Sequence, residues 1–407
     1  MSRRVVISGL GLASPIGHDL ADVTRALTGS RHGVVTMPQW AQYTGLATRL
    51  AAPVTGVALD YPHKMARSMG RVGLLSLFAT DRAIADSGLL PEHLRSGRLG
   101  LSYGSTHGSS TELESFCRKM LVGNSISGIA GSSYLRFMSH TCAANLAHCY
   151  GIRGRVVPSV AACASASQGI GYGYEVIRAG TQDLMLCGGA EEMHFVHAAV
   201  FDIMFATSTR YNERPGESPR PFDRARDGLV VGEGAGTLVL EEQEHARRRG
   251  ARVYGEIVGY GTNCDGTHVT SPSYEGMAAA MRLALDDAQV APEAIDYINA
   301  HGTGTEAGDI AESVATAMTF GARVPFSSTK GHTGHTLGAC GAIEAVFLLA
   351  MMRERFVPET RNLTEVDPRC GQLDYVTGAP RPCDVKLAMT NNFAFGGINT
   401  SLIVRRL

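Results

Sequence analysis

A repeated pattern restricts how this chain can fold: short apolar runs that end in small-residue turns and lead into helix-forming stretches. Val5-Val6-Ile7-Ser8-Gly9-Leu10-Gly11 reads as a buried strand entering a glycine turn, and Leu99-Gly100-Leu101-Ser102-Tyr103-Gly104-Ser105 reads as another. The stretch 69–88 predicts a helix whose apolar face carries Val72, Leu75, Phe78, Ala79, Ile84 and Ala85. Residues 105–150 read as irregular until a helix near 143–150, and the proline-rich segment 208–228 reads as a long surface loop. A charged helix over 242–250 ends at Gly250, and the pattern then starts again. Strands near 253–258, 297–300, 325–328, 386–389 and 400–404 alternate with helices near 274–289, 308–320 and 338–352. Alternation of this kind implies α/β layering, and its recurrence implies an internal duplication. We place the boundary at 250/251, giving halves 1–250 and 251–407 of a chain long enough for two domains.

Composition narrows the function classes. A formal net charge of −1 gives no case for nucleic acid or an anionic membrane. Nine cysteines, an odd number with no C-x-x-C pair, read as reduced thiols of a cytoplasmic protein. The apolar run after Arg3 and Arg4 stops at Ser8-Gly9, too short for a signal-peptide core. The most apolar segment, 342–352, contains Glu344 and falls short of a membrane span.

Four segments place reactive or polar groups at turns. In the first, Cys163 stands where an apolar run through Val160 becomes a helix with Ala166, Ile170, Tyr174 and Ile177 on one face. A helix N-terminus favours an anion, so this thiol is expected to ionise more readily than a free one. Taken alone, Cys163 reads first as a buried structural cysteine, and only the segments that follow reverse that reading. The others are Asn299-Ala300-His301-Gly302-Thr303-Gly304-Thr305, Ser327-Ser328-Thr329-Lys330-Gly331-His332-Thr333-Gly334-His335 and Asn391-Asn392-Phe393-Ala394-Phe395-Gly396-Gly397-Ile398-Asn399. Loops at the carboxyl ends of α/β strands are where ligands bind. His332 and His335 lie three apart, but no carboxylate or third ligand accompanies them, so no metal is expected. No G-x-x-x-x-G-K-[ST] loop is present, and the glycine run 232–236 precedes a strand, which argues against a dinucleotide fingerprint.

Together, in this order, the four segments and the loop Arg220-Pro221-Phe222-Asp223-Arg224-Ala225-Arg226-Asp227-Gly228 resemble the β-ketoacyl-acyl carrier protein synthases of the thiolase-like condensing enzymes. The resemblance runs over essentially the whole chain and is to the elongating Cys-His-His class. It implies a duplicated five-layered α-β-α-β-α fold with two mixed sheets, the nucleophile in the first half and the His/Lys/His set and gate loop in the second. It implies an acyltransferase that joins acyl- and malonyl-carrier protein by decarboxylative Claisen condensation. In these terms Cys163 is the nucleophile, His301 and His335 support decarboxylation, and Lys330 holds their network. The N–H groups of Cys163 and Phe395 form an oxyanion hole, and Phe393, Ala394 and Phe395 form a gate. Glu312, Asp309, Asn399 and Asp265 are implied as structural supports, and Thr303, Thr305 and Thr270 as substrate contacts. Lys64, Arg67 and Arg210 are implied to dock the acidic carrier protein, whose phosphopantetheine brings the substrates, with no intrinsic cofactor. A dimer is implied, with 132–140 at its interface, as a homodimer or paired with a chain-length-factor-like paralogue. The alternatives are a non-catalytic chain-length partner, which Cys163 argues against, and a thiolase acting on coenzyme A, which would need a second cysteine loop near the C-terminus.

The sequence departs from the family pattern in three places. Ala394 stands where glycine is usual and is expected to restrict positive φ in the gate. Gly331-His332 replaces a small residue and Met. The 104–110 stretch is more polar than in housekeeping enzymes, which fits a specialised substrate such as an unsaturated or aryl-primed polyene chain.

Overall fold

The computed structural model describes residues 3–407. Among them, eleven strands form one hydrogen-bonded ladder. They are β1 (Val5–Ala13), β2 (Leu99–Gly104), β3 (Val156–Ser159), β4 (Leu184–Glu191), β5 (Gly234–Glu242), β6 (Gly255–Cys264), β7 (Tyr297–Asn299), β8 (Pro325–Ser327), β9 (Asp374–Tyr375), β10 (Leu387–Ala394) and β11 (Ile398–Arg405). Their order is β9-β8-β7-β10-β11-β6-β1-β5-β4-β2-β3. Apart from the edge strand β9, the two limbs repeat one plan. Numbered within its own half, each limb runs third, second, fourth, fifth, first, with parallel pairing outside and antiparallel pairing inside. This is the expected duplication. The two expected sheets are these limbs, and they touch through three residue pairs, Val5–Ile7 of β1 against Gly255–Ile257 of β6.

The layers follow from where apolar faces meet. The helices used below are α1 (Arg71–Ser87), α2 (Ser110–Gly123), α3 (Ser165–Arg178), α4 (Phe195–Ile203), α5 (Tyr274–Ala288), α6 (Glu306–Phe320) and α7 (Cys340–Glu354). Val72, Leu75, Phe78 and Ala79 of α1 pack on Leu99, Leu101, Leu186 and Val239 of the first limb. Met277, Met281 and Ala284 of α5, with Ala311 and Ala315 of α6, cover Ile298, Phe326, Met389 and Ile403 of the second. Between the limbs, Ala166, Ile170 and Ile177 of α3 and Ile343, Val346 and Phe347 of α7 share one core with strands of both halves. The result is the five-layered, thiolase-like arrangement.

Helix α7 is buried from Cys340 to Met352. A helix apolar all round belongs in a core, and each fully buried Leu or Phe there stabilises the fold by about 1.5–3 kcal/mol. The most apolar segment of the chain is therefore a central helix, and no helix among the described residues is long and apolar enough to cross a membrane.

Two expectations are corrected. Residues 110–123 form helix α2, capped by the Ser109 hydroxyl accepting from the Glu112 N–H. Leu113, Phe116, Cys117 and Met120 recur at helical spacing, but Leu113, Leu121 and Val122 are exposed, Phe116, Cys117 and Met120 only half-buried, and Ser110 alone is buried. The segment 391–399, expected as a loop, is mostly strand, and Ala394 pairs with Ile398 across the hairpin. Positive φ falls on Gly396 (92°) and Gly397 (74°), not on Ala394. The methyl group at 394 therefore does not sit at the residue that needs left-handed backbone.

Candidate active site

Cys163 lies in a single 3₁₀ turn, Ala162–Ala164, between β3 and α3. Ala162 takes φ 46°, in the left-handed region. The Ser165 hydroxyl pins this turn, accepting from the Ala161 N–H (2.9 Å) and donating to the Ala162 carbonyl (2.7 Å). The Cys163 residue is 6% exposed, and its Sγ lies 2.9 Å from His335 Nε2. Burial pushes the thiol up to about 12, although Lys330 and the backbone N–H groups of Cys163 and Phe395 pull it down. This corrects the expected easier ionisation. Desolvation of the anion outweighs the N–H groups that favour it.

His301 follows β7, and α6 holds it through the backbone. Glu312 accepts the N–H groups of His301 (2.7 Å) and Gly302 (2.6 Å). Asp309 accepts those of Thr303 and Gly304 (3.1 Å each) and of Phe222 (2.7 Å), with Arg226 at 3.5 Å. Burial raises Glu312 to about 8 and Asp309 to about 6. The rings of His301 and His335 meet edge to face with centroids 5.0 Å apart, and Phe393 lies 6.2 Å from His301. His335 is fixed by its main chain, its N–H donating to the Val230 carbonyl and its carbonyl accepting from Gly232 (both 2.7 Å). The Nδ1 atoms of both histidines are buried and face no hydrogen-bonding group of the protein. The acceptor atoms of Cys163, His301 and His335 all lie within 4.8 Å of one another.

Lys330, equally buried, places Nζ 2.5 Å from Glu344 Oε1, and Glu344 Oε2 accepts from Asn392 Nδ2 at 2.8 Å. Burial alone would lower the Lys330 ammonium, but Glu344, with Cys340 and Glu312, together outweigh it and the net shift is upward. His332 does not join the site, since its Nδ1 lies 2.8 Å from the Arg31 carbonyl. The two histidines three residues apart thus do not converge. Sequence reasoning passed over Glu344, Asn392 and Ala162. A carboxylate inside the most apolar segment was the available signal for Glu344; Ala162 left none.

A cleft of about 540 Å³ opens on Cys163 and both histidines. Thr303, Thr305, Thr270, Phe393, Ala394 and Phe395 line it. Phe395, 36% exposed, sits with its ring 5.5 Å from Phe201 of α4. Asn399 Nδ2 donates to Asp265 Oδ1 (2.6 Å), and the Gly397 carbonyl accepts from the Asp265 N–H (2.8 Å). The Gly396 N–H donates to the Val269 carbonyl at 2.8 Å, so the 265–270 segment straps the glycine turn. Lys64 and Arg67 are exposed on and just after the one-turn helix His63–Ala66, outside the cleft. Arg210 is 60% exposed but bonds the Ala225 and Arg226 carbonyls (2.8 and 3.0 Å) and lies 3.6 Å from Asp227. In the polar 104–110 stretch, His107 stacks on buried His197 (4.8 Å, 16°), and His197 Nε2 lies 2.8 Å from Ser110 Oγ.

Burial, with Lys330 beside them, holds His301 and His335 well below their ordinary 6.5. A step that uses neutral imidazoles is present above such a lowered value and is lost only as pH falls through it. Decarboxylation of malonyl-carrier protein is therefore expected to stay flat between about pH 6 and 8, where an unperturbed histidine would titrate. A rate that halves near 6.5 would contradict this assignment of neutral imidazoles.

The duplicated fold around this cysteine, histidine pair and lysine defines a thiolase-like condensing enzyme. The chain belongs to the β-ketoacyl synthase family: the family's N-terminal domain model matches residues 2–246 and its C-terminal domain model residues 254–364. It is 35% identical over 406 residues to the 3-oxoacyl-[acyl-carrier-protein] synthase 1 of Haemophilus influenzae, covering 99% of each chain. Among solved structures it is similar to a β-ketoacyl synthase from Burkholderia phymatum (51% identity, all of both chains, TM-score 0.97). It is also similar to the ishigamide ketosynthase/chain length factor (33%, all of both chains, TM-score 0.93).

Proposed function

We propose that the protein is a β-ketoacyl-acyl carrier protein synthase, an acyltransferase that condenses an acyl chain held on Cys163 with malonyl-carrier protein and releases carbon dioxide. The observation that carries this reading is His335 Nε2 at 2.9 Å from a buried Cys163 thiol, with His301 edge-on to His335. In the first half-reaction the sulfur attacks the incoming thioester. His335 takes the thiol proton and passes it to the departing phosphopantetheine sulfur, and the N–H groups of Cys163 and Phe395 bind the tetrahedral oxyanion. A buried thiol near 12 needs such a base at contact distance.

In the second half, loss of carbon dioxide turns the malonyl thioester into an enolate. The His301 and His335 N–H groups stabilise the enolate oxygen while its carbon attacks the acyl-Cys163 carbonyl. Collapse of the tetrahedral intermediate frees the Cys163 thiolate, which regains a proton, and leaves the β-ketoacyl chain on the carrier protein. Glu312 and Asp309 position the His301 loop, Asp265 and Asn399 hold the gate turn, and Thr270, Thr303 and Thr305 contact substrate. Lys64 and Arg67 receive the carrier protein. Arg210, with its donors engaged nearby, adds charge to that surface. No intrinsic cofactor enters these steps, and the protein works as a dimer in the cytoplasm.

Primary fatty acid elongation is the leading context. Stacked His107 and His197, with Ser110, favour a second reading, a specialised ketosynthase of a polyene or type II polyketide pathway, paired with a chain-length-factor-like paralogue. Mass spectrometry of the Cys163 adduct, after exposure to saturated, polyunsaturated and aryl-primed acyl-carrier proteins, separates the two. Radiolabelled malonyl-carrier protein should then appear in β-ketoacyl product; an enzyme that loads no acyl chain at Cys163 would refute the assignment.

A further inference from the structure

We propose that Cys340 is a positioning residue for the nucleophile, tying the charged Lys330 network to the turn that aims Cys163; this rests on the reading of Cys163 as acyl acceptor. Cys340 opens α7 and is 1% exposed. Its Sγ donates to the carbonyl oxygen of Cys163 itself at 3.2 Å. The same sulfur accepts from Asn392 Nδ2 at 3.5 Å, and that amide also donates to Glu344, the partner of Lys330. An unbroken path of polar contacts therefore runs from Lys330 through Glu344, Asn392 and Cys340 to the nucleophile's main chain.

The chemistry suits a fixed donor. Burial and then Glu344 push the Cys340 thiol well above 9, so it keeps its proton at any working pH. The carbonyl it binds belongs to the turn containing Ala162 at φ 46°, a conformation that needs outside ties to persist. Orienting that peptide sets the aim of Sγ toward the thioester and of the Cys163 N–H toward the oxyanion. Close approach makes the contact possible. A Cβ on Gly341 would fall 2.7 Å from Ser167 Cβ and 2.6 Å from Asn392 Oδ1, so the first turn of α7 presses directly on α3 and β10. Cys340 touches no reacting atom, and its effect acts through Cys163.

The test compares the full-length wild type, C340A and C340S. Acylation of Cys163 is followed by mass spectrometry with hexanoyl-carrier protein, and malonyl-carrier protein decarboxylation is measured separately. In C340A the saturating acylation rate is expected to fall about fivefold, the size of one neutral hydrogen bond. Half-saturation should be unchanged and decarboxylation, which needs no attack by sulfur, should stay within about twofold. C340S keeps a donor and is expected to recover most of the acylation rate. Unchanged acylation in C340A, acylation and decarboxylation falling together, or C340S as slow as C340A would each overturn the proposal. If C340A does not fold, C340V fills the thiol's volume without a donor and makes the same comparison. If wild type takes no acyl group from hexanoyl-, polyunsaturated or aryl-primed carrier protein, the acyl-acceptor reading is what fails. Iodoacetamide alkylation of Cys163 then decides on Cys340: a slower rate in C340A supports the tie, an equal rate overturns it.

Discussion

Cys163→Ala is expected to lower acyl transfer from carrier protein by at least about 10³-fold while leaving decarboxylation of malonyl-carrier protein measurable. The two half-reactions draw on different atoms. In the proposed mechanism acyl capture uses the sulfur 2.9 Å from His335, and the neighbouring Cys340 thiol does not replace it, because that sulfur is directed at the Cys163 carbonyl. Enolate formation, in the same mechanism, uses the imidazoles of His301 and His335, whose main chains are held by Glu312 and by Val230 and Gly232. Radioactive carbon dioxide from labelled malonyl-carrier protein measures one step, and mass spectrometry of the protein measures the other. Loss of both in C163A, in a protein that still folds, would mean the histidines do not act independently of the sulfur.

The second large effect concerns stability. Replacing Glu344 by Leu is expected to cost about 3–5 kcal/mol, because it strands the Lys330 ammonium in the core with its 2.5 Å partner gone. Pairing it with Lys330→Met should recover much of that loss, since well-packed apolar groups substitute for a buried ion pair at little cost. Chemical denaturation of the two single variants and the double variant gives the coupling directly. The double variant should still be poorly active, because Lys330 also pulls down the Cys163 thiol and lowers both histidines. Simple additivity of the two single effects would show that the pair is not coupled.

Much of this arrangement could be read in the residues. Cys163 and His301 follow short apolar runs, and Lys330 and His335 lie in a Ser-, Thr- and Gly-rich segment after β8, so the ends of β3, β7 and β8 pointed to them. The strand–helix alternation showed the duplication. What stayed hidden had physical reasons. Helix α2 was in fact legible from the capping pair Ser109 and Glu112 and from Leu113, Phe116, Cys117 and Met120 at helical spacing; what the residues do not show is that this face stays no more than half-buried. The ionisation of Cys163 was misjudged because a helix start is visible in a sequence whereas the depth of its burial is not. Glu344 meets Lys330, and Asn392 meets Glu344, only in three dimensions, since they lie on different elements 14 and 62 positions from the lysine.

The narrow seam between the limbs has a kinetic consequence. In the strand ladder three residue pairs join them, yet the proposed site draws Cys163 from one limb and His301, Lys330, His335 and Phe395 from the other. Neither limb can close around α3 and α7 until its counterpart has been synthesised, because those two helices bury surface against both. Contacts so distant along the chain form slowly. On refolding from denaturant, secondary structure should therefore return well before acylation does, with regain of Cys163 reactivity marking the docking of the two limbs as the last event.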